Sequence, residues 1–199
     1  TAKFSYMLML ALVLPICFEI RFILKLWLGN VPAMSNIFCI LTLSFNLFAN
    51  MSFLVNLGNH AAGKIFRPSM INGTLYIMVV PVSYISFQLG GQAWISYLFN
   101  LVAVVFGMLS NVYSLHLNVP EYSPLNFIRN VLTKCIAAVA IGGIVGCIVR
   151  SFLDESFQRL VLTCVSTVVF MGIYGWFAML SPAIRSSVVS KIIQVCKKV

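Results

Sequence analysis

Three uncharged polar side chains, Thr42, Asn46 and Asn50, stand four residues apart inside an otherwise apolar run. At that spacing they share one face of a helix. Hydroxyls and amides donate and accept hydrogen bonds without carrying charge. The chemistry they offer is recognition, of sugar hydroxyls, of water, or of a polar group on a neighbouring helix. Ser35 and Cys39 continue the face toward the start of the run. A later run repeats the pattern with Ser96, Asn100, Gly107, Asn111 and Ser114, and the run between carries Asn72, Tyr76 and Ser83. An amide turned toward hydrocarbon costs several kcal/mol, so each stripe must meet protein or water. Two readings stay open. The stripes either bond helix to helix, at about 0.6 kcal/mol a pair, or line a hydrophilic path. The candidate path residues are Thr42, Asn46, Asn50, Asn72, Tyr76, Asn100 and Asn111.

Residues for covalent or acid–base chemistry are not arranged for it. The chain has no G-x-x-x-x-G-K-[ST], no H-E-x-x-H and no G-x-S-x-G. Its two histidines, His60 and His116, stand at predicted span edges. The middles of the predicted spans lack Asp, Glu, Lys, Arg and His, so no acid, base or metal ligand is expected at depth. The expectation is a protein that is not an enzyme, with no catalytic residue, no cofactor, no metal and no buried carboxylate. The six cysteines form no C-x-x-C pair, and five lie within or beside apolar runs, where Cys is a small hydrophobe.

The elements that carry these residues follow from hydropathy. The 199 residues have a mean hydropathy of +1.01 and are only 9% charged, against about a quarter in soluble domains. Too little polar surface exists to coat a globule in water, so the solvent is lipid. Six apolar runs cover residues 4–24, 34–57, 69–89, 94–115, 131–149 and 160–180. Each is long enough for a helix to cross about 30 Å of hydrocarbon. A helix satisfies its own backbone there, and the alternation of barrel strands is absent. The expected fold is all-α, a polytopic bundle of six transmembrane helices over 1–181. Pro15 is expected to kink the first span, which ends in Glu19, Arg21 and Lys25. Ala138, Gly142 and Gly146 form a small-residue seam on the fifth. Over 182–199, Val188, Val189, Ile192, Ile193 and Cys196 recur at helical spacing among lysines, as in a helix lying on a membrane surface.

The net charge of +9 is distributed unevenly. Alternating the loops puts Lys3, Lys64, Arg67, Arg129, Lys134, Arg185, Lys191, Lys197 and Lys198 on one side. Arg21, Lys25, Arg150 and Arg159 fall on the other, with Glu19, Asp154 and Glu155. The positive-inside rule places both termini and the turn over 56–70 in the cytoplasm. His60, Gly63, Lys64 and Arg67 mark that turn. The basic charge is assigned to topology, and no nucleic-acid partner is expected. The chain opens on Thr1 with no leader before the first span, and is expected to be part of a longer protein.

Two stretches carry a resemblance. "LPICFEIRFILKLWLGNVP" ends an apolar helix with a Trp-Leu-Gly turn and a proline. "AAGKIFRPSMINGTLYIMVVPVSYISFQLG" has a Gly-Lys turn, an apolar helix with Pro-x-Ser-Tyr, and a Leu-Gly end. Together, over residues 14–90, they resemble the C-terminal part of a Wzx-type polysaccharide flippase of the multidrug/oligosaccharidyl-lipid/polysaccharide exporter superfamily. Over the fifth and sixth spans only the spacing is similar. The resemblance implies a MATE-like transporter of two helical lobes around a central cavity, which moves undecaprenyl-linked oligosaccharide, such as O-antigen or capsule repeat units, across the bacterial inner membrane by alternating access. It implies that Gly63 and Lys64 occupy the cytoplasmic turn between the tenth and eleventh of fourteen helices. The partners implied are the lipid-linked oligosaccharide, membrane lipids and an N-terminal lobe that these residues do not contain. Asn59-His60-Ala61-Ala62, where relatives often carry a glutamine, and Gly91-Gln92, where they often carry prolines, depart from the pattern. Two alternatives remain: a drug or cation exporter of the same superfamily, which favours a buried acid, and an accessory six-span subunit without transport.

Overall fold

The computed structural model describes residues 2–119 and 121–179, and every regular element among them is helical. They are α1 (Ala2–Phe18), α2 (Ile20–Leu28), α3 (Ser35–Ala61), α4 (Phe66–Gln88), α5 (Trp94–Asn118), α6 (Pro124–Phe127), α7 (Thr133–Phe152) and α8 (Phe157–Tyr174). A π-helical turn over Ile128–Leu132 joins α6 to α7, and a second over Gly175–Met179 extends α8. Five helical stretches are long and apolar enough to cross a membrane: α3, α4, α5, Pro124–Phe152 and Phe157–Ala178. The bent pair α1 and α2 gives a sixth if it is counted as one span. The chain is a multi-pass membrane protein with an all-α bundle. The basic tail over 182–199 lies outside the described residues.

The first span differs from expectation. α1 runs through Pro15 to Phe18, and the chain turns by 72° at Glu19. The Glu19 N–H still donates to the Pro15 carbonyl at 3.1 Å, so proline does not make the break. Glu19 itself leaves helical geometry, at φ −103° and ψ 16°, and its side chain is held by a distant arginine. The α2 helix that follows buries Ile20 and Leu24 and exposes Arg21, Lys25 and Trp27. Basic residues and a tryptophan beside an apolar edge suit the membrane–water boundary.

Two connections are shorter than the sequence suggests. The turn expected over 56–70 is helical up to Ala61, and α4 begins at Phe66. Nothing in Asn56-Leu57-Gly58-Asn59 breaks the helix, and Asn59 is bonded to Asn111 and Asn118 of α5. Gly63 does end it, at φ +71°, a conformation that costs L-residues but not glycine. The polar stretch 117–130 likewise holds the end of α5 and a new helix start at Pro124. Proline is favoured there, because its missing N–H is not needed in a first turn.

The helices pack in a row. α4 rests on α5, α5 on α3, and α3 on α1, while α1 meets α7 and α8, which also meet each other. The buried side chains of α3 are Leu47, Met51, Val55 and Asn59, a four-residue repeat that faces α5 and α1. On α7, Ala138, Gly142 and Gly146 are buried. A Cβ on Gly142 would stand 2.5 Å from Met171 and 2.6 Å from Leu14, and one on Gly146 would stand 2.5 Å from the Phe18 ring. The small-residue seam therefore lets α1 and α8 approach the α7 backbone, as close packing in lipid requires.

Candidate functional site

The polar stripe of α3 divides. Thr42 and Asn46 are exposed, and the Asn46 Nδ2 donates only to the Thr42 carbonyl of its own helix, at 2.9 Å. Asn50, one turn further, is drawn into packing. Its Oδ1 accepts from Ser5 Oγ at 3.0 Å, and its Nδ2 lies 3.3 Å from Met9 Sδ, both on α1. The division has a simple cause. Asn46 and Asn50 stand alike, one position before Leu47 and Met51 of the buried repeat, and it is at the level of Asn50 that the α1 side chains Ser5 and Met9 come within reach. Asn100 donates to the Ser96 carbonyl of its own helix at 3.0 Å, and Tyr76 is 40% exposed. The structure does not bring Asn100 or Tyr76 to Asn46 or Asn50.

Asn72 and Asn111 do meet, inside a network of five side chains where α3, α4 and α5 converge. The Asn72 Nδ2 donates to Asn111 Oδ1 at 3.0 Å, and the Asn111 Nδ2 donates to Ser52 Oγ at 2.9 Å. The Asn59 Nδ2 donates to the Asn111 backbone carbonyl at 3.1 Å and its Oδ1 accepts from Asn118 at 3.0 Å. Asn59 and Asn111 are fully buried. Gly107 makes room, since a Cβ there would stand 2.6 Å from Asn72 Oδ1. Ser52, Asn59 and Asn118 were not among the expected site residues. A signal for them exists: Ser52 and Asn59 are seven apart on α3, as Asn111 and Asn118 are on α5, so each pair shares a helix face.

The turn residues are exposed at one end of this unit. His60 Nε2 lies 3.4 Å from Asn56 Nδ2, and Arg67 lies over the Tyr113 ring at 5.4 Å. Gly63 and Lys64 are also exposed.

At the opposite end the structure corrects the expectation of no buried carboxylate. Glu19 is 1% exposed and Arg159, counted in the sequence as a loop charge, is 4% exposed. The Arg159 Nη2 and Nε donate to Glu19 Oε2 at 2.7 and 3.2 Å, its Nη1 donates to the Leu153 carbonyl at 3.2 Å, and Glu155 lies 3.8 Å away. The local sequence aims the arginine. Ser156 caps α8 by accepting from the Arg159 N–H at 3.3 Å, which fixes Arg159 in the first turn. Hydropathy cannot find this pair, because its halves are 140 residues apart and each stands at the edge of an apolar run.

No protein-family model matches the chain, and neither a curated protein nor a solved structure matches it.

Proposed function

We propose that the chain is the C-terminal part of a transporter that flips undecaprenyl-linked oligosaccharide across the bacterial inner membrane, with the Lys64 turn in the cytoplasm. The observation that supports this reading is the uncovered pair Thr42 and Asn46 on a helix of membrane-spanning length. Hydrocarbon is a costly neighbour for a side-chain amide, and among the described residues no helix covers Thr42 and Asn46. A hydrophilic path shared with a second lobe gives it a partner. Uncharged amides and hydroxyls suit sugar hydroxyls, and transport asks for positioning without bond chemistry, in keeping with a protein that is not an enzyme. The order of motifs over 14–90 supports the same reading.

The amide network around Asn111 has a different part in this proposal. Its members satisfy one another, so they hold α3, α4 and α5 together and do not face the substrate. Glu19 bears on the exporter alternative, since a buried acid is present after all. Arg159 neutralises it directly, which favours a structural role over carriage of a cation.

The test uses the full-length transporter in cells. Asn46→Leu should give normal folded yield and reduced surface polysaccharide. Normal yield with undiminished polysaccharide would remove Asn46 from the path, and the proposal would lose its main support.

A further inference from the structure

A cavity of about 420 Å³ opens where the α1–α2 bend, the start of α3 and the end of α7 meet. Two guanidiniums line it, Arg21 from α2 and Arg150 from the last turn of α7, together with the Asn36 amide. Its other walls include Phe18, Ile37 and Ile40. Among the described residues, the carboxylates that reach an arginine are Glu19 and Glu155, and both sit on Arg159. Among the described residues neither Arg21 nor Arg150 holds a carboxylate, and the buried Asn36 Oδ1 has no hydrogen-bond partner. Two like charges around one cavity repel. The dipole of α7 favours a cation at its end, which accounts for Arg150 but not for Arg21 beside it.

An anion that settles between them must also suit an apolar wall at a membrane edge. We propose that this cavity binds the phosphate of an anionic phospholipid headgroup in the leaflet at the Arg21 end. Arg21 and Arg150 would grip the phosphate oxygens, Asn36 would bond the headgroup, and an acyl chain would descend along Ile37 and Ile40. Guanidinium is the side chain best matched to phosphate oxygens. The walls separate this ligand from a free anion, which gains nothing from Phe18 or Ile40. The inference does not depend on flipping and would hold for any function of the bundle.

The experiment is native mass spectrometry of the purified chain in detergent, titrated with phosphatidylglycerol or phosphatidylcholine. The wild type should retain one phosphatidylglycerol at concentrations where it retains no phosphatidylcholine. R21A and R150A should each weaken that retention by about fivefold. K25A, one turn along α2 and with the same loss of charge, should leave it unchanged. Both arginines are exposed, and circular dichroism of each variant verifies that it is folded. Equal weakening by K25A would reduce the effect to general surface charge and overturn the site. Displacement of the lipid by millimolar inorganic phosphate would assign the cavity to a soluble anion and overturn the lipid.

Discussion

Where α5 meets α3 and α4, five amide and hydroxyl side chains interlock. Where α1 meets α7 and α8, glycines leave room, the Glu19–Arg159 pair closes the far end, and among the described residues the side-chain bonds are few: Lys134 Nζ donates to the Ala178 carbonyl at 2.8 Å and Tyr174 Oη to the Lys134 carbonyl at 3.0 Å. Both regions answer the same difficulty. Lipid tails are as apolar as leucine, so burying leucine gives helices little reason to associate. The first region uses directional bonds, and its polar atoms have nowhere else to go. The second uses shape, bringing Phe18, Leu14 and Met171 onto the α7 backbone, and gains dispersion contacts that are small singly and large together. The comparison suggests that the two regions fail differently. A bonded seam fails through a lost partner, and a shaped seam fails through an added atom.

The largest effect should come from the ion pair. Arg159→Leu alone leaves the buried Glu19 charge unmatched, at a cost of about 3–5 kcal/mol, and Glu19→Leu should cost less, since Arg159 keeps Glu155 at 3.8 Å. The double replacement should recover most of that loss, because a buried pair exchanged for apolar side chains is often neutral. Folded yield and thermal unfolding in detergent give the measurement. If the double variant is as unstable as the singles, packing around Glu19 matters and the charge does not.

Next in size are additions to the shaped seam. Gly146→Val puts branched atoms where Phe18 already stands, and should cost about 1–3 kcal/mol. The same replacement at Gly143, whose Cβ would meet nothing within 4 Å, should have little effect on thermal unfolding. Equal losses at the two positions would mean that the seam is loose.

The bonded seam is tested by subtraction. Asn111→Leu leaves Asn72 and Ser52 without their partner and should cost about 1–3 kcal/mol. Asn72→Leu, at the periphery, should cost less, near the average of about 0.6 kcal/mol for interhelical bonds in lipid. Equal effects would mean that Asn111 is not the hub. The smallest expected change is in Asn50→Leu, which loses Ser5 and the sulfur of Met9 while gaining apolar contact with α1. Its thermal midpoint should fall only slightly, and a large fall would show that α1 depends on that amide.

Some of this was legible in the sequence. The spans over 34–57, 69–89 and 94–115 fall within α3, α4 and α5, or overlap them to within a residue or a few, because continuous hydropathy fixes the middle of a helix well. Ends are decided by details that hydropathy does not weigh. Asn59 looked like part of a turn and is the floor of the amide network, since partners on α5 make a polar helix end stable. The periodicity of Thr42, Asn46 and Asn50 placed them on one face but could not say how that face is turned toward a neighbour. Nor could it say where along that face Ser5 and Met9 of α1 would stand, which separates an exposed Asn46 from an Asn50 bonded to α1. Glu19 was the least legible, because the arginine that pairs with it stands 140 positions away in the sequence.

The 140 residues between Glu19 and Arg159 also set a schedule. A ribosome adding roughly 5–20 residues per second needs on the order of 7–30 s to pass from one to the other. Through that interval the nascent chain holds at a helix break a carboxylate that its arginine has not yet reached. The pair closes only when α8 has entered the membrane. A chain halted before α8 would keep Glu19 without the arginine that matches it.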